Sequence, residues 1–152
     1  MIVMKEHRQG EYLISADPVR LDPVAIHSYL TTSYWSEGIP LEVIQRALKN
    51  SLCIGCYTSD GSQIGLVRII TDQATYAYVC DVYVLETHRR RGLAKAMLKF
   101  GMELPELQGL RSWNLRTRDA HGVYEAFGFK VVDNPGGYMV LRFPDVYRKK
   151  SS

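Results

Sequence analysis

The stretch DVYVLETHRRRGLA, residues 81–94, carries a strand into a helix within a few positions. Upstream, Thr75 to Leu85 is rich in β-branched and aromatic residues. Downstream, Leu93, Ala96, Met97 and Phe100 recur at helical spacing until Pro105. Three consecutive arginines, Arg89 to Arg91, stand where the helix begins. Cations there oppose the helix dipole, at a cost of about 0.3–1 kcal/mol each at a surface. An anion would offset them. Gly92 allows close backbone approach, and free N–H groups from Arg90 to Ala94 would point at that anion. The plainer alternative is a solvated charged turn. Neither GxxxxGK[ST] nor GxGxxG occurs, so nucleoside triphosphate and Rossmann readings lose their usual support.

Working outward, strands and helices alternate. Tyr12 to Ala16 reads as a strand. Asp22 is a good N-cap with Pro23 at the first helical position, which predicts a helix to Leu30. Pro40 opens a second helix, with Leu41, Ile44, Ala47 and Leu48 at helical spacing. Leu52 to Thr58 is strand-like and ends in a turn at residues 59–61. Gln63 to Thr71 and Thr75 to Leu85 form a hairpin around residues 72–74. Beyond the Gly92–Glu103 helix come a strand at Ser112 to Thr117 and a short helix capped by Asp119 and stopped by Gly128. A last strand pair, Phe129 to Asp133 and Tyr138 to Arg142, closes the chain. The expected fold is α/β (α+β): a single mixed, mainly antiparallel sheet flanked by about four helices.

With 152 residues, 46% of them hydrophobic and 23% charged, the chain is expected to form one domain over 1–147 with a basic tail at 148–152. Disordered, collagen-like and disulfide-scaffold classes are excluded by this composition. A net charge of +3 is too mild to imply nucleic acid. No run approaches the roughly 18 apolar residues of a membrane span, and the first twelve residues lack a signal peptide's apolar core. Three cysteines argue against a disulfide framework, so a cytoplasmic protein is expected. Cys53 and Cys56 match CxxC, but in a strand they point to opposite faces, and no second pair completes a zinc site. No metal is expected.

Arg89, Gly92 and Ala94 satisfy [QR]-x-x-G-x-[GA], and this segment resembles the acyl-coenzyme A signature of the GNAT superfamily of N-acetyltransferases. A second segment, TRDAHGVYEAFGF at 117–129, resembles that superfamily's N-x-x-A-x-x-[LV]-Y-x-x-x-G-F through Ala120, Val123, Tyr124, Gly128 and Phe129. Thr117 stands where asparagine is usual. The resemblance spans roughly Gln63 to Arg142. Ser33-Tyr34-Trp35 and residues 116–122 also look like a bacterial subgroup of unassigned substrate.

The resemblance implies acetyl-CoA as acetyl donor and a GNAT fold with splayed central strands. Arg89, Arg90, Arg91, Gly92, Leu93 and Ala94 would cradle the pyrophosphate. Val82, Tyr83 and Val84 would pair with the pantetheine arm, and Thr117 would lie beside the cofactor. The splayed strands, Thr75–Leu85 and Ser112–Thr117, leave N–H groups for the thioester oxygen. Tyr124 is the natural general acid for the leaving thiolate; its plain alternative is a core aromatic. An ammonium of pKa about 10.4 must lose a proton before attack. Asp81 is the first candidate to take it, followed by Glu37, His121 and Asp119. Tyr34, Trp35, Glu37 and Tyr83 would border the acceptor. Lys95 and Lys99 could meet the adenosine 3′-phosphate or face solvent.

The expected activity is N-acetylation of a small-molecule or peptide amine by direct attack in a ternary complex. Two further readings are a non-catalytic acyl-CoA-binding module and a toxin-like enzyme acetylating charged tRNA. The low charge speaks against the latter. Membrane partners are not expected, and a homodimer is possible by analogy with the proteins it resembles.

Overall fold

A computed structural model describes residues 5–148. Six strands lie in one sheet in chain order: β1 (Glu6–Gln9), β2 (Tyr12–Ser15), β3 (Leu52–Tyr57), β4 (Gln63–Thr71), β5 (Tyr76–Val84) and β6 (Ser112–Leu115). The first five run antiparallel to their neighbours, and β6 is parallel to β5. Four helices flank the sheet: α1 (Pro23–Leu30), α2 (Leu41–Lys49), α3 (Leu93–Met102) and α4 (His121–Glu125). The α/β class and the mixed sheet expected from the sequence are both present.

Local chemistry explains the borders. The Asp22 carboxylate accepts from Ala25 N at 3.1 Å and Pro23 supplies the first helical φ, so α1 begins where the sequence places it. In the β4–β5 hairpin the Asp72 carboxylate collects the Ala74 and Thr75 N–H groups at 2.9 and 2.8 Å.

Two apolar clusters hold the layers. On one face Ile26, Leu30, Ile44 and Leu48 of α1 and α2 cover Cys53, Leu66 and Tyr83. On the other, Met97 and Leu98 of α3 pack on Ile54, Val67, Ile69 and Val79, with Val123 and Tyr124 of α4 and Phe127 just beyond it alongside. Each fully buried side chain of this size contributes about 1.5–3 kcal/mol. Gly101 lets α3 sit flush, since a Cβ there would lie 3.2 Å from side-chain carbons of Ile54 and Ile69.

Several expectations are corrected. Strand β1 was not foreseen; three of its four residues are exposed and it carries no apolar alternation. Asp119 does not cap α4. The Thr117 hydroxyl accepts from Ala120 N at 3.0 Å instead, and Asp119 is exposed beside Arg118. Strand β6 stops at Leu115, two residues short of Thr117. The final strand pair is absent: Phe129 to Asp133 and Tyr138 to Arg142 join no ladder among the described residues. Residues 134–137 wind into a 3-10 turn, with Gly137 N bonded to Asn134 O at 3.1 Å. Neither Gly136 nor Gly137 takes the positive φ of a two-residue hairpin turn. The tail beyond Arg148 lies outside the described residues.

Candidate active site

The site is organised by an irregularity in β5. Leu66 faces Tyr83 and Arg68 faces Cys80, so Val67 alone opposes both Asp81 and Val82. This is a β-bulge, and its first residue, Asp81, has φ +50, a region that aspartate tolerates better than most side chains. Pairing of β5 with β6 ends at Val79 and Leu115. From Cys80 to Val84 the edge of β5 that faces β6 has no strand partner, the splay expected for this fold.

The bulge aims Asp81 at two partners. Arg68 Nε donates to Asp81 Oδ2 at 2.6 Å and Trp35 Nε1 donates to Oδ1 at 2.7 Å. Arg68 also donates to the Ser51 hydroxyl at 3.1 Å. Burial works against the charge on Arg68, but the Asp81 carboxylate outweighs it and its pKa is raised. Tyr83, buried on the same face, stacks on Tyr29 at 4.0 Å between ring centroids, and Trp35 lies beside Tyr29. Tyr34 packs edge-on against Trp35, and the Arg118 guanidinium sits 3.9 Å from the Tyr34 ring centroid. Burial pushes the Tyr124 hydroxyl up from its ordinary value, and the neighbouring Tyr34 phenol adds to this. Tyr34, Trp35, Tyr83, Asp81 and Tyr124 therefore gather near the end of β5. Glu37 is exposed and bonded to none of them, and His121 is exposed on α4.

The arginine loop lies at the end of the splayed edge. Arg89 points back: its Nε donates to Val84 O at 2.8 Å and its terminal nitrogen to the Tyr29 hydroxyl at 3.3 Å. Arg90 (φ +66) and Gly92 (φ +71) are left-handed. Among the described residues no acceptor takes the N–H groups of Arg90 to Lys95. Nothing lies within 4 Å of a Cβ built on Gly92, so the space before this row of donors is open. Leu93 is buried and anchors the first turn of α3. Arg91 leans over the Tyr12 ring, whose hydroxyl meets His88 Nδ1 at 2.7 Å. Lys95 and Lys99 are exposed.

A cavity of about 560 Å³ lies elsewhere, along β6 and α4; Thr117 and Tyr124 line it, but neither Asp81 nor any residue of the arginine loop does. Arg91 and Leu93 instead border a smaller cleft with Gln9, Gly10, Glu11 and Tyr12.

Residues 50–131 match the family model described as an acetyltransferase (GNAT) domain. The chain belongs to the GNAT family. A GNAT-family protein of Xanthomonas campestris, solved as a crystal structure, is 40% identical, with a TM-score of 0.88 over 93% of this chain and 100% of its own. A Gibberella zeae protein named as an acetyltransferase is 35% identical over 73% of this chain and 74% of its own. The fold is also shared with a Clostridium acetobutylicum protein crystallised with acetyl-CoA, at 19% identity and a TM-score of 0.61, covering 86% of this chain and 94% of its own.

Three residues of this GNAT site were missed by sequence reasoning: Arg68, Tyr29 and Arg118. Arg68 left a signal, since a lone arginine inside the apolar strand IGLVRII must find a carboxylate. Tyr29 and Arg118 left none. The CxxC cysteines fall in different clusters on opposite faces of the sheet, as the strand period requires. No described helix is long and apolar enough to cross a membrane.

Proposed function

We propose that this GNAT member transfers the acetyl group of acetyl-CoA to a primary amine by direct attack. The observation that carries this reading is the convergence, at one end of β5, of an unpaired strand edge, an unbonded row of N–H groups and a half-buried phenol. The residues present suit the donor. The left-handed turns at Arg90 and Gly92 aim main-chain donors outward at the positive end of α3, where a pyrophosphate is favoured. The free edge of Cys80 to Val84 can accept an extended amide-bearing arm by β-addition. Acetyl-CoA supplies a thioester whose carbonyl is open to an amine.

The rest falls to the chain. Main-chain N–H groups at the bulge stabilise negative charge on the carbonyl oxygen. Tyr124, a phenol that is neutral at neutral pH, donates its proton to the departing sulfur. Tyr34, Trp35 and Tyr83 wall the amine's approach. Both Asp81 oxygens already accept a charged or indole N–H, so Asp81 is assigned to orient Trp35 and the amine, and water carries the ammonium proton away. Burial pushes the Cys80 thiol up to about 11 despite Arg68, which disfavours the thiolate at neutral pH. That favours a ternary complex over an acyl-enzyme. Three unpaired thiols suit a reducing compartment, and we assign the protein to the cytoplasm.

The test is CoA release from acetyl-CoA across amines, polyamines, aminoglycosides, amino acids and peptides, for wild type and Tyr124→Phe. Turnover that collapses in the variant supports the reading. Calorimetric binding of acetyl-CoA with no turnover on any acceptor moves the chain to a binding module, and absence of binding sinks the donor assignment.

A further inference from the structure

Given the donor assignment above, on which this rests, we propose that Tyr12 of β2 is a positioning residue of the arginine loop. Its hydroxyl and ring hold His88 and Arg91 so that the loop's N–H row and the Arg91 charge face an incoming anion.

The loop needs support from elsewhere in the fold. Arg90 is left-handed without being glycine, a conformation that persists only where the surroundings over-determine it. No acceptor takes the N–H groups of Arg90 to Lys95 among the described residues, so the loop's own hydrogen bonds do not fix it. On one side Arg89 ties it to Val84 and Tyr29. On the other side the contacts converge on Tyr12. Its hydroxyl lies 2.7 Å from His88 Nδ1, across 76 residues of sequence, and its ring meets the imidazole edge-on at 5.6 Å between centroids. The Arg91 guanidinium carbon sits 6.0 Å from the same ring's centroid, at the outer reach of a cation–π contact. Tyr12 is only 7% exposed and shares an apolar cluster with Leu93, the first residue of α3. Strand β2 is paired on both edges, so this side chain stands on a fixed backbone. It reaches the loop on both sides of Arg90.

A ring suits this task better than a carboxylate would. None of Arg89, Arg90 and Arg91 forms an ion pair among the described residues. Glu11 borders the same cleft as Arg91 yet does not pair with it. The π face steers the guanidinium without neutralising it, so the charge remains for a pyrophosphate. Donors held in place beforehand cost less to order on binding. Tyr12 therefore acts through affinity for the donor and takes no part in the chemical step.

The experiment compares wild type with Tyr12→Phe, which keeps the ring and loses the hydroxyl, and with His88→Ala and His88→Asn. Asparagine can set a polar atom near the position of Nδ1. Backbone amide order parameters of Arg89 to Gly92, measured by NMR without ligand, should fall from about 0.85 toward about 0.6 in Tyr12→Phe and His88→Ala. They should recover in His88→Asn. The KM for acetyl-CoA should rise about 3- to 10-fold in the first two variants, the range of one hydrogen bond, with kcat and the amine KM within about twofold of wild type. The chain carrying both Tyr12→Phe and His88→Ala should be no worse than either single change. Unchanged order parameters in Tyr12→Phe overturn the proposal. So does a fall in kcat without the rise in KM for acetyl-CoA, or a failure of His88→Asn to restore the loop. A wild type that binds no acetyl-CoA sinks the donor assignment instead, and the order parameters then decide alone whether Tyr12 braces the loop.

Discussion

Trp35 donates its indole N–H to Asp81 Oδ1 at 2.7 Å across 46 residues of sequence, while Arg68 holds the other oxygen. Trp35, the bulge and a largely buried cation are thus one unit. The Asp81 and Arg68 side chains are only 10% and 17% exposed, so the pair is shielded from solvent.

Asp81→Asn keeps an acceptor for the indole and a residue that tolerates positive φ, but leaves Arg68 without a counter-charge. Removing one partner of a buried pair costs about 3–5 kcal/mol, read by urea unfolding. Activity should fall through a raised KM for the amine, with the acid limb of the pH–rate profile unmoved. A shift of that limb would make Asp81 the proton acceptor.

Tyr124→Phe removes a proton donor but keeps the ring against Phe129. A loss in kcat of about 10²-fold or more is expected, as for general acids, with stability little changed. Because burial raises this phenol, its acid form persists to higher pH. The basic limb of the wild-type profile should therefore lie above the ordinary tyrosine value of about 10.

Gly92→Ala places a Cβ in open space but at φ +71. The left-handed conformation costs an L-residue about 1–2 kcal/mol. The loop should shift, and the KM for acetyl-CoA should rise more than that for the amine in two-substrate kinetics.

Alkaline stability should decline because of the cysteines. Burial raises Cys53 to about 12 and Cys56 and Cys80 to about 11. The unfolded chain therefore releases these protons first. Their stabilisation is complete below about pH 8.5 and is lost as pH rises through the folded values, at up to about 1.4 kcal/mol per pH unit for each thiol. Urea unfolding at pH 7.5, 9 and 10 checks the slope, and Cys53→Ala should flatten it.

Met97→Ala opens a cavity between α3 and the sheet, where Met97 is fully buried. A loss of about 2–5 kcal/mol is expected, measured by the same denaturation, with acetyl-CoA binding under the proposed function unchanged in the folded fraction.

Much of the fold was legible because its signals are local. Asp22 and Pro23 start α1 through bonds that reach three residues. The period change after Leu85 marks the strand-to-helix loop, and Gly92 is left-handed there. The bulge was not legible: it exists only in the register of β4 against β5, and Asp81 gives no hint of Arg68, thirteen residues away, or of Trp35. The final strand pair failed for the opposite reason. Its segments carry strand-like composition, but a strand is made by its partner, and neither segment finds one among the described residues.

The sequence by itself determined β2 to β6 and the four helices in their order, the loop after β5 and the aromatic candidates around it, since each rests on side chains within a helical turn or a strand repeat. Tertiary structure alone decided which oxygen of Asp81 meets which partner, where β5 parts from β6, and that residues 129–133 and 138–142 join no ladder among the described residues. Those outcomes depend on pairings between distant segments, where a one-residue change of register redirects every side chain.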